Sequence, residues 1–320
     1  MKVSVVIATY NRAYILREAL ESALAQTYQN LEIIIVDDGS TDETREMAPQ
    51  WTNDRVRYIK HDRNRGCSAA YNTGINAATG DVITLLDSDD RWAPENLDRQ
   101  VTFLQGHSEV DIVFTDVTVE GSGTSIPSLS ALMKVFSKLI NQKPQGDGFV
   151  LSSREMYLCL LQEIPIKPTA AVVRRDLYAK AGLFNEAWPS GTDWDLFLRF
   201  SHFANFGYID APLSIQTRTF DATHKKYSEQ DKLFLLEVFT KEKSRLIHDH
   251  EALRAVNRGI ADHCNNLAFY YLHSGKRLKS IATYLRGYRE TRKLGMLSRA
   301  LAVLMPLRTR NFLKALRRNE

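Results

Sequence analysis

The segment GDVITLLDSDDRWAPENL places three carboxylates, Asp87, Asp89 and Asp90, directly after an apolar run over residues 82–86. Carboxylate oxygens crowded like this suit a hard divalent cation, Mg²⁺ or Mn²⁺. A metal held by one or two of them keeps positions open for phosphate oxygens. The competing reading is a cap, with Asp90 leading into the helix after Pro94 and the other acids solvated. A second acidic pair, Asp37 and Asp38, stands in IIIVDDGSTDET, where Thr41 or Asp42 can cap the next helix. A carboxylate there can accept from a base N–H such as the N3–H of uracil. A third cluster, Thr9, Tyr10, Asn11 and Arg12 in VVIATYNRAYIL, joins a strand to an amphipathic helix. A helix N-terminus with Arg12 favours an anion, and Tyr10 can flank a planar base. Neither a P-loop nor GxGxxG accompanies it, which argues against a dinucleotide fold or an ATP-grasping loop.

The surrounding pattern predicts how these clusters are held. Short β-branched runs over residues 3–8, 33–36, 56–59, 82–86 and 112–117 read as strands. Between them lie helical patterns: Ile15, Leu16, Ala19, Leu20, Ala23 and Leu24 on one face, then residues 42–51, 68–78 and 94–104. Such alternation predicts an α/β fold, a mostly parallel sheet covered on both faces, with ligands at the carboxyl ends of the strands. Residues 121–148, rich in Gly, Ser and Pro, read as a mobile excursion from the rim around an apolar stretch at 129–140. A mixed region follows over 151–218, and everything beyond Tyr227 reads as helical. There LAFYYLHSGKRLKSIATYLRGY resembles one tetratricopeptide-type hairpin turning at Gly275, a unit that cannot bury its own face alone.

Bulk properties exclude several classes. The 44% hydrophobic and 25% charged fractions are those of a soluble globular chain. Cys67, Cys159 and Cys264 are scattered, so neither a disulfide framework nor a zinc site is expected, and a reducing cytosol suits them. No apolar run nears the roughly 20 residues of a membrane-spanning helix, and the start turns polar too soon for a signal peptide. The net charge of +4 is uneven. Residues 276–320 hold thirteen Lys/Arg and two Glu, or +11, so the preceding 275 carry −7.

Taken together, VSVVIATYNR, VDDGSTD, NRGCSAAYNTGI, TGDVITLLDSDD and GTDWDLFLRF resemble the family 2 glycosyltransferases of GT-A fold over residues 3–228. The resemblance implies an inverting transferase that uses a nucleotide-activated sugar, with a divalent cation as cofactor. On it, Ala8, Thr9, Tyr10, Asn11 and Arg12 would line the nucleotide, Asp38 would accept from uracil, and Arg65 and Gly66 would lie near the donor. Asp87 would lean toward the ribose, with Ser88 beside it, and Asp89 would hold the metal on the diphosphate. Asp193 would be the base that deprotonates the acceptor hydroxyl, in place of a plain helix cap. The family usually reads Gly-Glu-Asp there, whereas this chain reads Gly191-Thr192-Asp193. A fainter block puts Arg218 and His224 where the family shows Arg-x-His-x-x-Ser, with a longer gap of six. His224 would be a third metal ligand or touch the diphosphate, and Arg218, Lys225 and Lys226 would help hold pyrophosphate.

The resemblance implies a domain over 1–226, its nucleotide part at 1–120 and acceptor part at 150–226, followed by a basic helical extension over 227–320. In that extension Leu294, Leu297, Leu301, Leu304 and Met305 form one apolar strip and Phe312, Leu313 and Leu316 another. Such a strip among basic residues suits an anionic membrane surface, and alternatively packing on its own domain or an oligomer contact. The expected partners are a UDP-sugar and a glycan or lipid-linked acceptor of bacterial surface-polysaccharide assembly, with no nucleic acid. The expected location is the cytoplasm, peripheral on the inner face of the membrane. Thr192 favours a different class, a non-catalytic nucleotide-sugar binder or membrane-docked scaffold.

Overall fold

The computed structural model describes residues 1–320 apart from 122, 144, 145, 147, 189, 190, 219–227, 247 and 305–320. They divide into two units, Met1–Tyr227 and Ser228–Glu320. In the first, unbroken aliphatic runs form strands buried on both faces, because helices on either side of a sheet leave no solvated face for polar residues. Strands β1 (Val3–Thr9) and β2 (Leu31–Asp37) are buried at every position. They are joined by β3 (Val56–Lys60), β4 (Val82–Asp87), β5 (Arg91–Trp92), β6 (Val110–Gly121), β7 (Thr124–Ile126), β8 (Phe149–Leu151), β9 (Ala171–Arg174) and β10 (Asn205–Thr217).

The order across the sheet is β3-β2-β1-β4-β9-β6-β10-β5, with β7 on β6 and β8 on β10. The first four run parallel, as the alternating pattern predicts. Strand β9 then enters antiparallel to both β4 and β6, and β10 returns parallel to β6. The register sets Ala8 beside Asp87 and Thr9 beside Asp37. The loops after β1, β2 and β4 therefore open on one rim, where strand order reverses between β1 and β4.

The first unit's helices are α1 (Leu16–Leu24), α2 (Thr44–Met47), α3 (Cys67–Ala77), α4 (Asn96–Gly106), α5 (Lys134–Ile140), α6 (Ser153–Leu160), α7 (Arg175–Ala181) and α8 (Thr192–Phe200). Helix α1 buries Leu16, Ala19, Leu20 and Ala23, the face its spacing predicts. The helix expected over 42–51 is shorter: Pro49 lacks an amide hydrogen, and Ala48–Trp51 tightens to a 3₁₀ turn. The stretch over 121–148 is not a simple excursion. Its described residues include β7 and α5, whose Phe136 is fully buried against Phe114 and Tyr208. The Asp116 carboxylate anchors it by accepting from the amide and hydroxyl of Ser130 at 2.9 and 3.0 Å.

The second unit is helical: α9 (Ser228–Ser244), α10 (His250–His273), α11 (Arg277–Thr291) and α12 (Leu294–Leu304). Helices α10 and α11 form the expected hairpin, turning at Gly275 with φ +74°. Gly287 has no side chain to block Met296, whose methyl lies where a Cβ would be, so α11 and α12 pack closely. No described helix is long and apolar enough to cross a membrane.

At the edge of the sheet opposite the acidic rim, Glu32 fastens the strand starts. Its carboxylate accepts from Ser4 Oγ at 2.6 Å and from the amide and hydroxyl of Thr79, each at 2.7 Å. Burial alone would raise its pKa, but these bonds and Lys2 hold it at about 2. The folded-state value is depressed, so this stabilisation is complete above the unfolded value of 4.5 and is lost as pH falls toward 2. Glu32→Gln is expected to cost about 2 kcal/mol at pH 7 by urea unfolding. The gap to wild type should close progressively below pH 4.5.

Candidate active site

The turn after β1 is locked to the turn after β2. Asn11 sits at φ +53°, a left-handed conformation that Asn tolerates better than most residues. Its Oδ1 accepts from the amides of Thr41 and Asp42 at 2.8 and 3.3 Å, while its own amide donates to Ser40 Oγ at 2.9 Å. The Arg12 amide donates to Thr44 Oγ1 at 3.1 Å. Its guanidinium then lies 3.8 Å from Asp89, with the arginine side chain 13% exposed. The chain therefore supplies one cation of its own among the acids. Tyr10 stands half open at the same rim, 42% exposed.

Asp38 is buried and largely occupied by the protein. It accepts from the amides of Arg65 and Gly66 at 2.9 and 2.7 Å and pairs with His61 Nδ1 at 2.7 Å. A carboxylate offers about four acceptor positions. Its first task is thus to hold the Arg65–Gly66 turn that begins α3, with about one position left for a base N–H.

The three acids after β4 separate into different environments. Asp87 accepts a hydrogen bond from the Tyr71 hydroxyl. Burial raises its pKa, the neighbouring charge of Asp89 adds to that, and Asp193 pushes the same way while Lys167 opposes. Ser88 is buried. Asp90 is also buried and accepts from the Thr217 amide at 3.0 Å, pinning the end of β10. Burial, then Asp87 and Asp89, push its pKa well up. The capping reading does not hold, since the residue before α4 is Glu95.

Two helix N-termini converge on these acids. Helix α3 begins after Gly66, and α8 begins after Gly191, a glycine at φ +75°. The hydroxyls of Ser68 and Thr192, both buried, are 2.8 Å apart. Asp193 follows in the first turn of α8, so it is not the cap, and its charge reaches Asp87. Leu196, Phe197 and Phe200 bury the face of α8 behind it, and Trp194 Nε1 donates to the Leu160 carbonyl at 2.7 Å. The partial positive charge of a helix N-terminus stabilises nearby carboxylates.

The loop before α8 is clamped to α3. Asn72 donates to the Phe184 carbonyl at 3.0 Å and to Glu186 at 2.8 Å, and accepts from the Phe184 amide at 2.9 Å. The Arg65 guanidinium pairs with Glu186 at 3.1 Å. Ser68, Tyr71, Asn72, Lys167 and Glu186 were not among the candidates read from the sequence. For the first three the signal was present, as polar residues recurring on one side of the small-residue helix CSAAYNTGI. Lys167 and Glu186 carry no such mark.

Ala8, Thr9, Arg12, Asp38, Arg65, Gly66, Asp87, Asp89 and Asp193 thus gather around one rim through the contacts and strand register above. Arg218 is exposed just past β10; its amide donates to the Glu120 carbonyl at 2.7 Å, one residue after the Thr217 amide that meets Asp90. His224, Lys225 and Lys226 lie outside the described residues. Among the described residues no cluster of three or more potential metal ligands occurs. Two carboxylates, Asp87 and Asp89, fit a hard cation that takes its remaining ligands from water and substrate phosphates.

Residues 4–159 match the profile described as Glycosyl transferase family 2. An uncharacterized glycosyltransferase of Rickettsia typhi is 30% identical over 227 residues, which are 69% of this chain and 64% of that protein. The Escherichia coli UDP-Glc:alpha-D-GlcNAc-diphosphoundecaprenol beta-1,3-glucosyltransferase WfaP is 40% identical over 103 residues, 32% of this chain and 41% of its own. The chain spans less than two thirds of the length of these curated relatives. Among solved structures, S. aureus TarS 1-349 in complex with UDP-GlcNAc superposes with a TM-score of 0.68 at 20% identity, covering 91% of this chain and 82% of that one. The likeness is one of fold, the GT-A arrangement.

The Ser68–Thr192 contact ties the two converging helices, and Thr192 stands where a glutamate was expected. A double-mutant cycle of Ser68→Ala and Thr192→Val, followed by urea unfolding, is expected to return a coupling energy of about 1 kcal/mol. Additive effects would mean that the two hydroxyls do not hold the helices together.

Proposed function

From the premise that the domain over residues 4–159 belongs to glycosyl transferase family 2, we propose that this chain transfers a sugar with inversion from a UDP-sugar to a hydroxyl of a glycan or lipid-linked acceptor. The observation that carries this reading is the placement of Asp193 in the first turn of α8, close enough for its charge to act on Asp87 at the acidic rim. The effect of its charge on Asp87 supports a base at the rim where the donor would bind. The name of WfaP, which specifies a diphosphoundecaprenol-linked acceptor, and the UDP-GlcNAc complex of TarS support the choice of substrate classes.

In this reading Ala8, Thr9, Tyr10 and Asn11 line the nucleotide, Asp38 offers its remaining acceptor position to the base, and Arg65 and Gly66 border the donor. Arg12 offsets the charge of Asp89, and Arg218 helps to hold the diphosphate. Asp193 takes the proton of the acceptor hydroxyl. The hydroxyl oxygen forms its bond to the anomeric carbon as the bond to the diphosphate breaks on the opposite face, and the diphosphate leaves with the electron pair. Asp89, with Asp87 beside it, would hold a divalent cation, which would supply Lewis-acid stabilisation of the charge on that leaving group. Asp87 also orients Tyr71 by accepting its hydroxyl hydrogen bond.

Asp193→Asn is expected to lower transfer by about 10²- to 10⁴-fold while UDP binding by calorimetry stays unchanged. Undiminished transfer would end the assignment of the base. A thermal-shift series with UDP-, GDP- and dTDP-sugars in Mn²⁺ is expected to give its largest upward shift with a UDP-sugar. A larger shift with GDP-sugars would overturn the choice of base.

A further inference from the structure

Helices α11 and α12 are each apolar on a face that the helical unit leaves uncovered. Helix α11 buries Ser280, Thr283, Tyr284 and Gly287. Leu278, Ala282, Leu285 and Arg289 recur at intervals of four, three and four on the opposite side, where helical geometry aligns them into one stripe. Leu278 is 82% and Leu285 47% exposed. Helix α12 buries Met296, Ala300 and Val303 yet leaves Leu294, Leu301 and Leu304 between 60% and 73% exposed. Of the strip expected from the sequence, Leu297 is half-buried and Met305 lies outside the described residues, as do Phe312, Leu313 and Leu316.

The charge around these stripes is one-sided. Residues 276–304 carry eight Lys/Arg and a single Glu. That Glu290 is already engaged by Lys243 at 3.7 Å and Arg289 at 3.7 Å. Arg292 and Lys293, both exposed, occupy the turn between the two helices. Exposed leucines destabilise a water-facing surface unless something apolar covers them. A second copy packed face to face is a poor cover, because it would set basic residues against basic residues, although Lys276 and Lys279 pair with Glu229 at 2.8 and 3.5 Å. A nucleic acid would answer the charge and leave the leucines wet. An anionic bilayer answers both, taking leucine side chains below its headgroups while phosphates meet Arg and Lys.

We propose that the exposed faces of α11 and α12 form a docking surface for an anionic lipid bilayer, entered by Leu278, Leu285, Leu294, Leu301 and Leu304 and steered by the basic residues among them. Such docking requires no membrane-spanning segment. It stands apart from the transfer reading, since binding to lipid requires no turnover.

Co-sedimentation of the full chain with vesicles of phosphatidylcholine, with or without phosphatidylglycerol, tests it. The wild type is expected to pellet with the phosphatidylglycerol vesicles only, and high salt should release it. Replacing Leu278, Leu285, Leu301 and Leu304 together by Gln should lower the partition coefficient at least about tenfold, with the circular dichroism spectrum unchanged because all four side chains face solvent. Replacing Arg289, Arg292, Lys293 and Arg299 by Gln should weaken it by a similar factor. No pelleting of the wild type, or equal pelleting of the leucine variant, overturns the proposal. So does a soluble dimer, seen by light scattering, that the leucine variant disperses without any loss of lipid binding.

Discussion

The structure is organised around one electrostatic constraint: carboxylates, among them Asp38, Asp87, Asp89 and Asp90, stand where buried parallel strands release the chain. Like charges removed from water repel strongly and shift toward their neutral forms unless partners intervene. The fold meets this constraint by giving each acid a different partner. Asp38 is held by three backbone and imidazole donors, Asp87 by the Tyr71 hydroxyl, Asp89 faces Arg12, and Asp90 is tied to the Thr217 amide. The N-termini of α3 and α8 add their partial positive charge from the same side. In the proposed reaction Asp87 and Asp89 would receive a cation together with a diphosphate.

The same contacts that compensate charge also position the chemistry. Asp38 holds the turn that starts α3, and α3 in turn carries Ser68, Tyr71 and Asn72 to three different neighbours. Through Ser68 it meets the start of α8, and through Asn72 it holds the loop that leads there. A helix of small residues can approach β1 closely: Gly74 leaves room for Val6, whose methyl would overlap a Cβ. Close packing of that helix is the reason its polar residues project into the site with little freedom. The position of Asp193 therefore depends on residues more than a hundred positions earlier in the chain.

Much of this was legible beforehand because its causes are local. Strands buried on both faces demand continuous apolar runs, and β1, β2 and β4 fall where those runs occur. The strand-to-helix turns carry their acids at strand ends, so Asp38, Asp87 and Asp89 were visible as candidates by position alone. The helix over 42–51 was overread because periodicity outweighed Pro49. The described part of residues 121–148 was read as an excursion on its composition, whereas Asp116 and Phe136 pack it down. Composition describes a segment's average preference, but a single buried aromatic ring decides whether it docks.

By itself the sequence determined the buried strands, the acidic turns at their ends, the apolar face of α1 and the basic character of the last helices. Each follows from residue types within a few positions of one another. Only the tertiary structure decided that β9 runs antiparallel between β4 and β6, that Arg12 faces Asp89, and that Asn72 grips Phe184. It also decided that the leucines of α12 face outward while Met296, Ala300 and Val303 pack inward, although both sets are apolar. Contacts between remote segments are chosen by the packing of the whole chain, and no local pattern of charge or hydropathy encodes that choice.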